Sequence, residues 1–169
     1  MAYQDSTRSL ARTGVDDYDE ENERLIICHR PDSGTPLKNE KEGERIIALN
    51  AEVCRVIEDW RDDHRHEVED DYSREPLLTS RNGRMSQSSI RDAVYMMTRP
   101  CYYADCAKDR NPDDCEAAEY GRYSECPVNV SPHDIRQGSI TYFLTENVPE
   151  KVVSDRMNVW PGRSKQALL

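Results

Sequence analysis

The sequence predicts an α+β fold, mostly helical, with a small antiparallel β-hairpin. Three observations lead there. Two short β-rich runs, "RLIICH" (24–29) and "ERIIALN" (44–50), flank a loop holding two prolines and two glycines. Apolar residues then recur at helical spacing, first Val53, Val56, Ile57 and Trp60, then Ile90, Ala93, Val94 and Met97. Further on, Ser131 and Pro132 open a helix in the favoured order, hydroxyl cap then proline.

Taken in order, the first dozen residues have no period, and "DDYDEENE" (16–23) is a polar turn ahead of the first strand. The loop "RPDSGTPLKNEKEG" (30–43) carries Lys38 and Lys41 in the connecting arm of the hairpin. Asn50 caps a helix expected to run from about Asn50 to Val68, with the Val53–Trp60 stripe buried. "REPLLTSRNGR" (74–84) is extended and ends in an Asn-Gly turn. Ser86 caps a second helix, which Pro100 stops. A loop-rich insert at about 100–127 holds four of the six cysteines. The helix opening at Pro132 has Ile140, Phe143 and Leu144 for its buried side, and another begins at Pro149 with Val152, Val153 and Met157 for packing. The pattern breaks at Pro161-Gly162. Length, 169 residues, suits a single domain over 1–169.

Charge narrows the function classes. The net charge of −10 and a pI near 4.9 argue against indiscriminate nucleic-acid binding. A local basic stretch remains: residues 77–100 carry Arg81, Arg84, Arg91 and Arg99 against Asp92 alone. Only five of the 23 bases are lysines, a balance that suits high-salt cytoplasm, where carboxylates stay hydrated and their repulsion is screened; an ordinary acidic protein fits the same composition. With no run of eighteen apolar residues and no signal peptide, a cytoplasmic protein without membrane contact is expected.

In "SPHDIRQGS" (131–139), His133 and Arg136 stand three apart at a helix start and share one face. First-turn N–H groups and the helix dipole favour an anion there, and an arginine fork suits phosphate oxygens. On spacing alone, such a pair is also an ordinary surface feature. The longer stretch "SPHDIRQGSITYFLTENVPEKVVSDRMNV" (131–159) resembles the His-x-x-Arg box of the tyrosine recombinase (phage integrase) family, especially its branch in salt-loving archaea and their viruses. The resemblance extends upstream through "HRPDSGTPLKNEKEGERIIALN", "DWRDDHRHEVEDDYSREPLLTSRNGR" and "VYMMTRPCYYADC" in family order, covering roughly residues 15–159.

The resemblance implies a DNA strand transferase of the recombinase catalytic-domain type, acting on double-stranded DNA without a catalytic cofactor or small-molecule substrate, together with other recombinase subunits. It implies two arginines that clamp the scissile phosphate, a hairpin lysine that protonates the leaving 5′-oxygen, a histidine that assists, and a tyrosine nucleophile. Arg136 matches the second clamp arginine and His133 its partner. Lys38, just ahead of the returning strand, matches the hairpin lysine, with Lys41 as competitor. Arg8 is assigned as the first clamp arginine, although Arg12 is close by, the spacing to "VDDYD" is short and the glycine usual after that arginine is absent. No tyrosine follows Tyr142, which reads as a packing residue, and Val159 stands where many members have a second histidine or tryptophan. No core-binding domain precedes the box. The expectation is therefore a truncated or frameshifted recombinase domain that is catalytically incomplete; a non-catalytic DNA-binding regulator on the same scaffold, or a decayed relic, is the alternative.

Cys101, Cys106, Cys115 and Cys126 follow the spacing C-x4-C-x8-C-x10-C. Four thiolates can complete a tetrahedral structural zinc site, while free or redox-active thiols and disulfides remain open readings. Cys28 and Cys54 read as small buried residues.

Overall fold

The structure, a computed structural model, describes residues 5–158. A short helix α1 (Asp5–Leu10) leads into strand β1 (Tyr18–Asp19), which pairs antiparallel with β2 (Arg24–Ile27). After the arm, β3 (Arg45–Ala48) returns beside β2 with Leu25 opposite Ile47 and Ile27 opposite Arg45. The expected hairpin is present, and β1 extends it to three strands in the order β1-β2-β3. Alternation along β2 buries Leu25 and Ile27, which join Tyr18, Leu37, Cys54 and Leu77 in the core.

Helix α2 (Ala51–Asp59) begins where expected: the Asn50 side chain accepts a hydrogen bond from the Val53 N–H at 2.8 Å. It ends earlier than expected. A π-helical turn at Trp60–His64 closes it, and residues 65–68 lie outside the helix. Its buried face also differs from the expected stripe. Val53 and Val56 are exposed, whereas Ile57 and Trp60 are half-buried as expected and share the inward side with Cys54, Glu58 and Arg61. The Trp60 Nε1 donates to the Leu77 carbonyl at 2.9 Å. Polar partners near β1 bring the other two inward: the Tyr18 hydroxyl donates to Glu58 at 2.8 Å and Arg61 pairs with Glu20 at 2.8 Å. Burial together with that bond to Glu58 pushes the Tyr18 phenol far above its ordinary range.

The segment expected to be extended folds as a tiny hairpin, β4 (Thr79–Ser80) with β5 (Gly83–Arg84), turning at Arg81-Asn82. Gly83 takes φ +104°, a conformation that side chains rarely adopt. Helix α3 (Gln87–Met97) starts on the Ser86 cap, whose side chain accepts from the Ser89 N–H. Ile90 is buried, but Met97, expected in the stripe, is exposed. Short 3-10 turns carry the chain through the cysteine-rich segment to α4 (Pro132–Thr145) and α5 (Glu150–Met157). Ile140 of α4 and Val153 of α5 are fully buried. Val152, expected to pack, is instead exposed. So is Tyr142, at 60%, where its ring meets Phe143 edge-on.

Two charged knots hold distant segments together. Asp17, 1% exposed, receives both Arg30 and Arg74, at 2.5 and 3.3 Å, and the Gly14 N–H at 2.8 Å. Gly14 is small for a reason: a Cβ there would stand 2.9 Å from the Arg74 guanidinium and 3.0 Å from the Glu75 carbonyl. The second knot is Arg84, which donates to the carbonyls of Ala11 and Thr13 and pairs with Asp70 at 2.7 Å. Burial pushes the Asp70 carboxyl up, but hydrogen bonds from Arg84 and from the N–H groups of Arg74 and Tyr72 outweigh it and hold it below the ordinary aspartate range.

The sign of the pH dependence follows. The unfolded chain takes up the Asp70 proton at higher pH than the folded one. This stabilisation is therefore complete above the ordinary aspartate range and is lost as pH falls through the lower folded value. Urea midpoints measured across an acid pH series should fall towards low pH, and Asp70→Asn should flatten that fall.

Candidate nucleic-acid interface

The four residues singled out for phosphate chemistry lie on three parts of the fold. His133 and Arg136 are in the first turns of α4, where the helix start is built as the sequence implies. The Ser131 hydroxyl accepts from the Asp134 N–H, and the Asp134 carboxylate accepts in return from the Ser131 N–H at 3.1 Å. The Ser131 side-chain and backbone hydrogen bonds hold the Asp134 carboxyl below its usual range. Thr98, at the end of α3, exchanges hydrogen bonds with Val130 and so ties the approach to α4 onto α3. Both His133 and Arg136 are half-buried.

Arg136 reaches the end of α5. Its Nη2 donates to the Met157 carbonyl and, at 3.1 Å, to that of Asn158. Asn158 closes that helix in a left-handed conformation. The terminal carbonyls of a helix carry partial negative charge, so the guanidinium caps it. Arg156 fixes α5 in turn, donating to the Ala48 carbonyl of β3 at 2.9 Å and lying over the Phe143 ring of α4.

Arg8 is on α1, which packs against both α3 and α4. Its Nε donates to Gln87 at 3.5 Å, and Gln87 donates back to Thr7 at 3.4 Å. The helix of Arg8 and the helix of His133 and Arg136 are thus direct neighbours. Lys38 stands apart from them in sequence and on another element, in an exposed turn of the β2–β3 arm. Its predecessor Leu37 is buried and donates its N–H to the His29 Nδ1 at 2.9 Å, which pins the arm. Lys41 is exposed too, in a 3-10 turn between Glu40 and Glu42.

The basic stretch at 77–100 is not the open cationic face that its charges suggest. Arg84 is committed to Asp70 and two carbonyls, Arg91 stands 3.6 Å from Asp92, and Arg99 is buried. Arg81 is exposed on the β4–β5 turn. Asp17 and Arg156 went unread in the sequence, and Arg84 was read only as surface charge. Their charged or carbonyl partners lie 13 to 108 residues away, beyond any local pattern.

Among the described residues no three histidine, cysteine or acidic side chains already stand together as a metal-holding group. All six cysteines are unpaired thiols; Cys54 is buried as expected, while Cys28 is only half-buried. No described helix is long and apolar enough to cross a membrane. The expectations placed on Val159 and on the break at Pro161-Gly162 lie outside the described residues.

No family model and no curated protein matches the chain. Solved structures do. XerA recombinase superposes with a TM-score of 0.63 at 15% identity, covering 99% of this chain and 49% of that one. Tn1549 transposon integrase bound to transposon right-end DNA gives 0.58 at 17% identity, over 95% of this chain and 48% of the integrase. The same integrase with a circular-intermediate DNA gives 0.63 at 17%, over 96% and 48%. The chain spans about half the length of the structures it matches. At such low identity the likeness concerns the fold, and the fold is of the tyrosine recombinase catalytic type: mostly helical, with a small antiparallel sheet.

Proposed function

We propose that the chain is a recombinase-like domain, with a cysteine-rich insert at about 100–127, that binds double-stranded DNA in the cytoplasm through one backbone phosphate. Supporting this is the match in fold, over 95–96% of the chain, to an integrase whose structure is in complex with DNA. The neighbouring placement of α1 and α4 adds to it. In this reading Arg136 and Arg8 neutralise the equatorial phosphate oxygens and His133 donates a further hydrogen bond. Lys38, carried in on its arm, is the proton donor to a departing 5′-oxygen. The acid excess of the surface suits work at high salt.

Breaking a phosphodiester through a covalent intermediate also needs a nucleophile. Among the described residues this reading assigns none to that role, and Tyr142 lies on the exposed side of α4. What the reading assigns to these residues is DNA binding, with strand transfer left to a nucleophile from elsewhere. The chain works either beside active recombinase subunits or as a regulator of their sites.

Fluorescence anisotropy with labelled duplexes tests the binding, which should weaken as salt rises through counterion release. Incubation with a nicked suicide duplex tests the chemistry. The expected result is a bound complex that denaturing gel electrophoresis dissociates completely. A covalent protein–DNA band would overturn the assignment as a binder, and its loss in Tyr142→Phe would identify the nucleophile.

A further inference from the structure

The cysteine-rich segment plays no part in the phosphate reading, yet it builds a cavity of its own. Cys101, Cys106, Cys115 and Cys126 come from four separate turns across 26 residues and all line the same small pocket. Its free space is about 10 Å³, the room for one water-sized or ion-sized occupant.

Two further observations indicate what that occupant is. Arg99 lines the pocket at 7% exposure, and among the described residues its partners are carbonyls and a ring: Ala117 O at 2.9 Å, Met96 O at 3.4 Å and the Tyr123 face at 4.8 Å. A buried guanidinium without a carboxylate is destabilising unless negative charge stands close by. Lys108 and Arg110 add two further cations to the lining.

We propose that Cys101, Cys106, Cys115 and Cys126 bind one zinc ion as a structural tetrathiolate site. Four thiolates around a divalent ion leave a net double negative charge, which answers the buried Arg99 and its neighbours Lys108 and Arg110. The thiol protons pass to solvent as the ion enters. The thiols share the pocket without yet forming a closed group, so binding draws them inward. The backbone can follow, because Cys101 lies in a short 3-10 turn, Cys115 and Cys126 border such turns, and Cys106 lies in irregular chain, none of them in a long helix. The hub of Arg122 with Glu116, Glu119 and Glu125 keeps the outer side of the segment in register.

The full chain, expressed with zinc and purified without chelators, tests this by elemental analysis and by cobalt(II) substitution. About one equivalent of zinc, and cobalt bands of tetrahedral four-thiolate type, are expected. Cys106→Ser and Cys126→Ser should each lose those bands, while Cys28→Ser keeps them. Less than half an equivalent in the unmodified chain, disulfides linking the four cysteines, or bands that survive both substitutions would each overturn the site. Should a serine variant fail to fold, the spectrum of the unmodified chain still decides. The outcome is independent of DNA binding.

Discussion

Asp17→Ala should leave the protein largely unfolded at room temperature. The carboxylate is 1% exposed and is the meeting point of Arg30, Arg74 and the Gly14 N–H. Removing it leaves two guanidiniums facing each other in a site with little water. Breaking a buried ion pair from one side costs about 3–5 kcal/mol, a large part of the total stability of most domains. Asp17→Asn keeps the shape and one acceptor but not the charge, so it should fall between. Urea unfolding followed by circular dichroism measures both, and an Ala variant within 1 kcal/mol of the parent, roughly the value of an exposed pair, would show the knot to be solvated.

The second large effect is expected at Arg136. Its loss should weaken duplex binding by roughly tenfold to a hundredfold, the value of a charge-assisted hydrogen bond of about 1.5–3 kcal/mol. The slope of log affinity against log salt should drop by about one. Arg136→Lys keeps the charge but not the fork, and should recover the salt slope before it recovers the affinity. The side chain also caps α5, so the alanine variant should lose some thermal stability as well. A variant that loses stability while binding DNA unchanged would make Arg136 a structural cap and nothing more.

What the sequence made legible was local. Asn50, Ser86 and Ser131 each cap the helix that follows, because a cap is written within four residues of the first turn. The hairpin of Leu25 and Ile47 was readable from two apolar runs and a breaker loop. The face of α2 was readable only in part. Ile57 and Trp60 turn inward, but Val53 and Val56 do not, because Glu58 and Arg61 turn in towards the Tyr18 hydroxyl and the Glu20 carboxylate of another segment. Arg84 and Arg99 read as surface charge, yet Arg84 is spent on Asp70 and two carbonyls and Arg99 on the Ala117 carbonyl, all from other segments. For the site, residue types were readable and neighbours were not: α1 beside α4 is a tertiary fact that no spacing encodes.

Leu37 sits in the core with its N–H held by His29, and the next residue is the exposed Lys38. The lysine therefore leaves a backbone that the core anchors one residue earlier, and that anchor sets the place its side chain can serve. Trimming Leu37 would loosen the mooring, spoiling the aim of a side chain that had not been touched.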